Sequence, residues 1–109
     1  MKKLLEDTLK LTNLKYYYLK RPRDVFPCIT YHINENVGVH ADCMEESAEY
    51  NIYLNLCIKE NITQTVEDIK KVMNRNNFIK ISINAPIVFD GTDYYQVTFH
   101  YRRFKANDI

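Results

Sequence analysis

The clearest pattern along the chain is a strict alternation of apolar and polar residues over 50–59. Every second position in this segment is aliphatic: Ile52, Leu54, Leu56 and Ile58. The positions between them carry Asn51, Tyr53, Asn55 and Cys57. A period of two residues is typical of a β-strand with one buried face. The pattern therefore predicts a long strand that commits one face to the core.

Two other segments have helical periodicity. The segment 3–11 carries leucines on one side and predicts a short helix that ends at the Thr12–Asn13 pair. The second helix is predicted to begin with Thr63 or Thr65 as its N-cap. Its apolar residues recur at helical spacing: Val66, Ile69, Val72 and Met73. Acidic residues precede basic ones along this segment, which complements the helix dipole.

The other strands are predicted from alternation and turn residues. Pro27 opens a strand over 28–33, the residues 34–36 are predicted to turn, and 37–40 is predicted to return as the second strand of a hairpin. A strand over 78–83 and a closing strand over 94–104 flank the Asp90–Gly91 pair, which favours a tight turn. The segment 14–25 has no firm periodicity, and no element is assigned to it.

The predicted fold is α+β, with a mostly antiparallel sheet of four to five strands packed against two helices in the order α-β-β-β-α-β-β. The predicted core contains Ile52, Leu54, Leu56, Ile69 and Met73. One domain covers residues 1–109, because no internal repeat or linker interrupts the pattern. The last residues, 105–109, are predicted to fray.

Composition narrows the function classes. Fifteen basic and fourteen acidic side chains leave a formal charge of +1, which argues against a dedicated nucleic-acid binder with a strongly basic surface. The leucines near the start never form the unbroken apolar run of a signal peptide or membrane span. Three cysteines without a CxxC pair favour a reducing compartment. The chain is therefore expected to be intracellular and soluble.

Candidate chemistry is sparse. A metal site needs converging ligands, and the best case is His32 and His40 on the two strands of the predicted hairpin. Cys43 lies among carboxylates, which disfavour a thiolate. Those carboxylates lack the spacing of a calcium loop, and neither glycine belongs to a phosphate-binding motif. The sequence predicts no catalytic residue, metal or cofactor, and Cys28 and Cys57 are interpreted as small buried apolar residues.

Two basic segments interleaved with aromatic residues leave single-stranded nucleic-acid binding open as an alternative. Arg102, Arg103 and Lys105 follow directly on Phe99 and Tyr101. A second basic group surrounds Tyr16–Tyr18 and comprises Lys15, Lys20, Arg21 and Arg23. Aromatic rings stack on unpaired bases and cations neutralise the backbone. The near-neutral charge balance and the lack of an RNP pattern weigh against this role.

Four segments in this order resemble a bacteriophage or prophage tail terminator, also called a tail completion or tail-to-head joining protein. They are Phe26–Tyr31; Gly38–Asp42 with the acidic loop that follows; Tyr50–Leu56; and the Glu67–Ile69 helix that leads to Asp90–Thr92 and the last strand. The passage Asn76–Phe78 also fits the family. The resemblance spans about residues 4 to 104.

The resemblance implies a non-enzymatic assembly protein. Members of this family form a ring, typically of six copies, on the last layer of the tail tube, and they present a surface to the head connector. The implied partners are other copies of the chain, the tail tube protein and the head connector or head-completion protein, with no membrane and no specific nucleic acid. The implied location is the bacterial cytoplasm during assembly and then the tail-head junction of the virion. Head-completion proteins share the ring and the size, so that role stays an alternative.

A closed ring needs two different faces on each copy. Loops and sheet edges are the natural places for such faces. The predicted interface residues are Asp42, Glu45, Glu46, Glu49, Asp90, Gly91 and Thr92.

Overall fold

The structure, a computed structural model, describes residues 1–37, 48–88 and 91–104. Its elements in chain order are α1 (Lys2–Lys10), β1 (Lys15–Tyr18), β2 (Cys28–Val37), β3 (Ala48–Ile58), α2 (Ile62–Arg75), β4 (Ile79–Ile83) and β5 (Tyr95–Phe104). This α+β fold and the order α-β-β-β-α-β-β confirm the prediction. In the described part of the chain, neither helix has the length and apolar character needed to cross a membrane.

The five strands form one sheet in the order β1-β2-β3-β5-β4. β1 pairs with β2 in parallel, and every other pair is antiparallel. β2 and β3 are paired from Cys28 opposite Cys57 to Val37 opposite Ala48. β3 is paired along almost its whole length with β5 on its other side. The sheet therefore has β3 at its centre, with β1 and β4 as its two edges.

Both helices pack on the same face of the sheet, here called the helical face. The buried core joins Leu5 and Leu9 of α1 and Ile69 and Met73 of α2 to the alternate strand residues. These strand residues are Ile29, Tyr31, Ile52, Leu54, Leu56, Ile58, Val97, Phe99 and Tyr101. All five predicted core residues are fully buried, so this prediction is confirmed. The alternation in β3 dictates the arrangement, because successive side chains of a strand point to opposite sides of the sheet.

The opposite face of the sheet, here called the open face, has no described helix over it. It carries the other alternate residues: Cys28, Thr30, His32, Asn51, Tyr53, Asn55, Cys57, Gln96, Thr98, His100 and Arg102. Most of these side chains are polar and half-buried. They bond across the strands, as in the hydrogen bond of 2.7 Å that the Thr98 hydroxyl donates to Asn55 Oδ1. The open face is thus a polar surface held by side-chain pairs.

The predicted hairpin turn at 34–36 is wrong. β2 continues through these residues, and Asn34, Glu35 and Asn36 lie opposite Asn51, Tyr50 and Glu49 of β3. Antiparallel pairing with a long neighbouring strand overrides the turn preference of asparagine. Val37 therefore ends β2 and does not begin a return strand, and residues 38–40 of the predicted return strand lie outside the described residues.

The first of the three strands before α2 was missed by the sequence pattern. β1 lies within the segment 14–25, to which no element was assigned, and Tyr16 and Tyr18 lie opposite Ile29 and Tyr31 of β2. Tyr16 packs against the core. Three consecutive tyrosines show no apolar-polar alternation, so the pattern that identified β3 had no counterpart here.

The start of α2 also differs from the prediction. The helix begins at Ile62, and its N-cap is Asn61 in the left-handed conformation with φ of 57°. Asparagine tolerates this conformation better than most residues. Thr63 and Thr65 therefore lie inside the first turns, and Asp68 accepts a hydrogen bond from Gln64 Nε2 at 2.8 Å. The acidic residues precede the basic ones as predicted, but the first turn contains none of them, whereas Arg75 lies in the last turn.

Alkaline pH is expected to destabilise the fold through Tyr101. Burial raises the pKa of Tyr101 to about 12, whereas an unfolded tyrosine titrates near about 10. The folded state holds the phenolic proton more tightly, so this contribution is present in full below pH 10 and is lost as the pH rises to 12. The loss is on the order of 2 kcal/mol. Urea unfolding over this pH range should show a shallower decline for Tyr101→Phe, and equal declines would contradict the assignment.

Candidate assembly surfaces

The acidic loop predicted as an interface is described only at its end. Glu49 is the second residue of β3, and Asp42, Glu45 and Glu46 lie outside the described residues. Glu49 Oε2 lies 2.8 Å from Nε of Arg102, the residue two positions before the end of β5. About a third of each side chain is exposed, so the ion pair is screened and contributes little stability. The ion pair connects the start of β3 to the end of β5.

The described part of the second predicted interface segment, Gly91 and Thr92, lies at the other end of the sheet. Asp90 lies outside the described residues, whereas Gly91 has φ of +83° and has no atom within 4 Å of the position that a Cβ would take. The glycine is therefore required by the backbone conformation and not by crowding. The prediction of positive backbone angles in this turn is confirmed at Gly91.

The two predicted interface segments do not form one site. Glu49 is near the start of β3, and the turn leads into β5 at Tyr95, which lies opposite Ile58 at the end of β3. The nine residue steps from Glu49 to Ile58 span about 30 Å in an extended strand. Each end of the sheet is therefore a separate surface.

One edge of the sheet carries a group of exposed aliphatic side chains that the sequence pattern does not predict. Ile79 and Ile81 of β4 are 48% and 40% exposed, and Ile87 and Val88 just after the strand are 46% and 48% exposed. The alternation of isoleucines in this strand is typical of a buried face, but only Ile83 packs against the core. A bulge between Lys80 and Ser82 shifts the register with β5, which breaks the simple alternation.

The other edge of the sheet is different in character. β1 is a four-residue strand of sequence KYYY, and Tyr18 and the following Leu19 are 46% and 58% exposed. The ammonium of Lys2 lies 4.8 Å from the centre of the Tyr18 ring. The molecule therefore has one aromatic edge and one aliphatic edge.

The open face carries a row of rings across its centre. Tyr53 of β3 stacks on His100 of β5 with centroids 4.5 Å apart, and His32 of β2 lies 6.5 Å away on the other side of Tyr53. A ring nitrogen of His100 is 2.9 Å from Asn51 Oδ1. The residue opposite His32 is Tyr53, and His40, the other histidine of the predicted metal pair, lies outside the described residues. Among the described residues, no three histidine, cysteine or acidic side chains are placed to hold a metal ion.

The two arginines of the basic segment that favoured single-stranded nucleic-acid binding lie on opposite faces of the sheet, because successive side chains of β5 alternate between the faces. Phe99 and Tyr101 are buried in the core, where no base could stack on them. Arg102 faces the open side, whereas Arg103 binds the backbone carbonyl of Asn76 on the helical side and lies over the Phe78 ring. Lys105 lies outside the described residues.

The described concavities are open grooves. One, of about 300 Å³, lies between α2 and β4 and is lined by Lys70, Lys71, Asn74, Phe78, Lys80 and Tyr101. Another, of about 310 Å³, lies beside the connection from β1 to β2. Three lysines border the first groove, so its described surface is basic.

Comparison of the chain with models of known protein families finds none that matches, and no curated protein matches its sequence.

Proposed function

We propose that this chain is a non-enzymatic structural subunit of a bacteriophage or prophage particle, which caps the tail tube as a ring and joins the tail to the head. The residues that resemble a tail terminator motivate the proposal. The observation that carries it is that the sheet has two unlike edges and two widely separated ends. Such a molecule offers separate surfaces for lateral neighbours and for partners along an axis.

The lateral contact of the ring joins the β4 edge of one copy to the β1 edge of the next. A ring of identical copies uses a heterologous interface, in which two different surfaces of each copy meet. β4 runs opposite to β1, because β1 is parallel to β2 and three antiparallel pairings separate β2 from β4. Copies set side by side with the same orientation therefore bring β4 and β1 together as antiparallel neighbours, with lengths of five and four residues.

The side chains at these edges fit a contact between copies. Ile79 and Ile81 would be covered by the aromatic edge of the next copy, which removes apolar surface from water. Lys80 and the bulge beside it are features that limit indiscriminate pairing of an edge strand. This combination suits a subunit that joins its neighbours only when a tail tube holds the copies in place.

The ends of the sheet supply the axial contacts. Asp42, Glu45 and Glu46 lie in the sequence between Val37, which ends β2, and Ala48, which begins β3, at one end of the sheet, and Gly91 and Thr92 lie at the other end. One end is assigned to the tail tube and the other to the head connector. The expected place of the assembled ring is the tail-head junction of the virion.

Deletion of the gene from a producing phage or prophage tests the proposal. Electron microscopy should show overlong tail tubes without heads, and a plasmid copy of the gene should restore normal particles. Tails of normal length beside unattached heads would assign the chain to head completion. Normal particles in the deletion strain would refute both assignments.

Reversing two charges in the acidic loop is expected to impair capping without unfolding the protein. The variant E45K/E46K places lysines where the axial contact is predicted to need carboxylates, and like charges at an interface weaken association. Complementation of the deletion strain should give at least tenfold fewer joined particles. The matched control is E67K/D68K, which reverses two exposed charges on α2. Equal complementation by both variants would show that the loop makes no axial contact.

A further inference from the structure

Two free cysteines lie directly opposite each other on the open face. Cys28 of β2 and Cys57 of β3 form the first pair of the antiparallel ladder, and their side chains are 0% and 3% exposed. Directly opposite residues in such a ladder have Cα atoms about 4.5–5.5 Å apart. A disulfide spans Cα separations of about 4.4–6.8 Å. The register therefore places the two Cα atoms at a separation that a disulfide can span.

One loop side chain, Arg21, lies beside the Cys57 thiol and forms a hydrogen bond with it. The Arg21 guanidinium lies 4.7 Å from the centre of the Phe26 ring and 4.9 Å from that of Tyr94, and the two rings are 4.8 Å apart. Arg21 Nη2 donates a hydrogen bond of 3.3 Å to the Tyr94 hydroxyl. Arg21 and Phe26 belong to the connection between β1 and β2, and Tyr94 precedes β5. Arg21 and the two rings around it thus belong to loops, which open more readily than packed helices.

The environment distinguishes the two sulfur atoms. The Cys28 thiol donates a hydrogen bond to the Cys57 sulfur, and this bond lowers the pKa of the Cys57 thiol. Burial acts to raise that pKa, whereas the positive charge of Arg21 lowers it further. The same hydrogen bond, together with burial, raises the pKa of Cys28. One sulfur is therefore poised as a thiolate nucleophile, and the other stays a thiol beside it.

We propose that Cys28 and Cys57 are a dithiol site that reacts with low-molecular-weight disulfides and closes to a disulfide between β2 and β3. The Cys57 thiolate attacks one sulfur of a disulfide such as oxidised glutathione, whose S–S bond breaks, and the released thiolate takes a proton from water. Cys28 then gives its proton to water and attacks the Cys57 sulfur, which releases the second small thiolate. Two protein thiols are oxidised to one disulfide, and the added disulfide is reduced to two thiols.

Closure links the base of the β2–β3 hairpin, at the end remote from the acidic loop. A disulfide stabilises mainly by restricting the unfolded chain within the loop it closes, here residues 28–57. Oxidation is therefore expected to raise the melting temperature of the protein by several degrees. The site would couple the stability of the central hairpin to the redox state of the surroundings.

The experiment uses the full chain in a Cys43→Ser background, which leaves the two facing thiols. After reduction and removal of reductant, the native protein is incubated with oxidised glutathione at neutral pH. The expected result is loss of both titratable thiols, an intact mass lower by two hydrogens, a peptide that links Cys28 to Cys57, and reversal by dithiothreitol. The added variant Cys28→Ser should stop as a mixed disulfide with glutathione on Cys57.

A second probe measures proximity without oxidation. Phenylarsine oxide bridges two neighbouring thiols and releases water, so the Cys43→Ser protein should bind one equivalent tightly, and the protein that also carries Cys28→Ser should not. The substitution Arg21→Gln should slow the reaction with glutathione several-fold, because it removes the charge beside Cys57. Thiols that stay titratable in the folded protein, or that form only mixed or intermolecular disulfides, would overturn the proposal. Circular dichroism confirms that each variant is folded before it is scored.

Discussion

Replacing Phe99 with alanine is expected to lower the free energy of unfolding by about 3–5 kcal/mol. Phe99 is fully buried in the middle of β5, opposite Leu54 of β3 and Ile83 of β4, and its ring stacks on Tyr101 with centroids 6.4 Å apart. Alanine would leave a cavity in the core. A domain of this size has a total stability of about 5–15 kcal/mol, so the loss would be a large part of it. Denaturant unfolding at constant m-value measures it.

The matched control is Phe104→Ala in the same strand. The Phe104 ring is 53% exposed and lies beyond the core, so its removal should change the stability by about 0.5 kcal/mol or less. A loss at Phe99 no greater than that at Phe104 would contradict the alternation of buried and exposed positions along β5.

The variant I79K/I81K is expected to abolish tail capping while leaving the fold intact. Both isoleucines are exposed on the edge strand β4, so lysines there can keep their charges in water in the free subunit. At the proposed lateral contact they would be desolvated against the β1 edge of the next copy, which is costly. Complementation of the deletion strain should yield at least tenfold fewer joined particles, with a melting temperature close to that of the unmodified chain.

Two further variants make this prediction specific to the edge. T63K/Q64K adds two lysines to exposed positions of α2 and should complement normally. Adding Tyr17→Glu to I79K/I81K should restore part of the capping, because Tyr17 lies on β1 with its side chain toward the open face and would supply an opposite charge to the neighbouring copy. Normal capping by I79K/I81K would rule out β4 as the lateral surface.

The elements predicted correctly are those in which one periodicity dominates. β3 alternates without interruption, and the apolar stripes of α1 and α2 recur at helical spacing, so the pattern specified which side of each element is buried. The identity of Ile52, Leu54, Leu56, Ile69 and Met73 as core residues followed directly from it. Burial of apolar surface is a local consequence of these patterns and depends little on which strands become neighbours.

The elements predicted wrongly depend on neighbours that are distant in sequence. The residues Asn34–Asn36 form strand because β3 supplies hydrogen-bonding partners for them, and β1 forms because β2 does. Neither partnership is visible in local propensity. The N-cap of α2 was misplaced for a more local reason, since a left-handed asparagine begins the helix without any side-chain hydrogen bond.

The candidate surfaces were only partly predictable. Glu49 and the Asp90–Thr92 turn were named from charge and turn residues, but their separation at opposite ends of the sheet required the register of β3 with β5. The aliphatic edge was not predicted, because Ile79, Ile81 and Ile83 have the sequence spacing of a buried strand face. The bulge in β4 disrupts that alternation in the structure. The pairing of Cys28 with Cys57 required the register of β2 with β3, since the two residues are far apart in sequence.

The length of β3 has a mechanical consequence. The molecule measures 49 by 26 by 23 Å, and β3 is held by ladder hydrogen bonds along both sides. A strand clamped in this way neither stretches nor shortens without breaking those bonds. Two bodies bound at its opposite ends are consequently kept at a constant spacing, and a pull on one is transmitted to the other through the backbone.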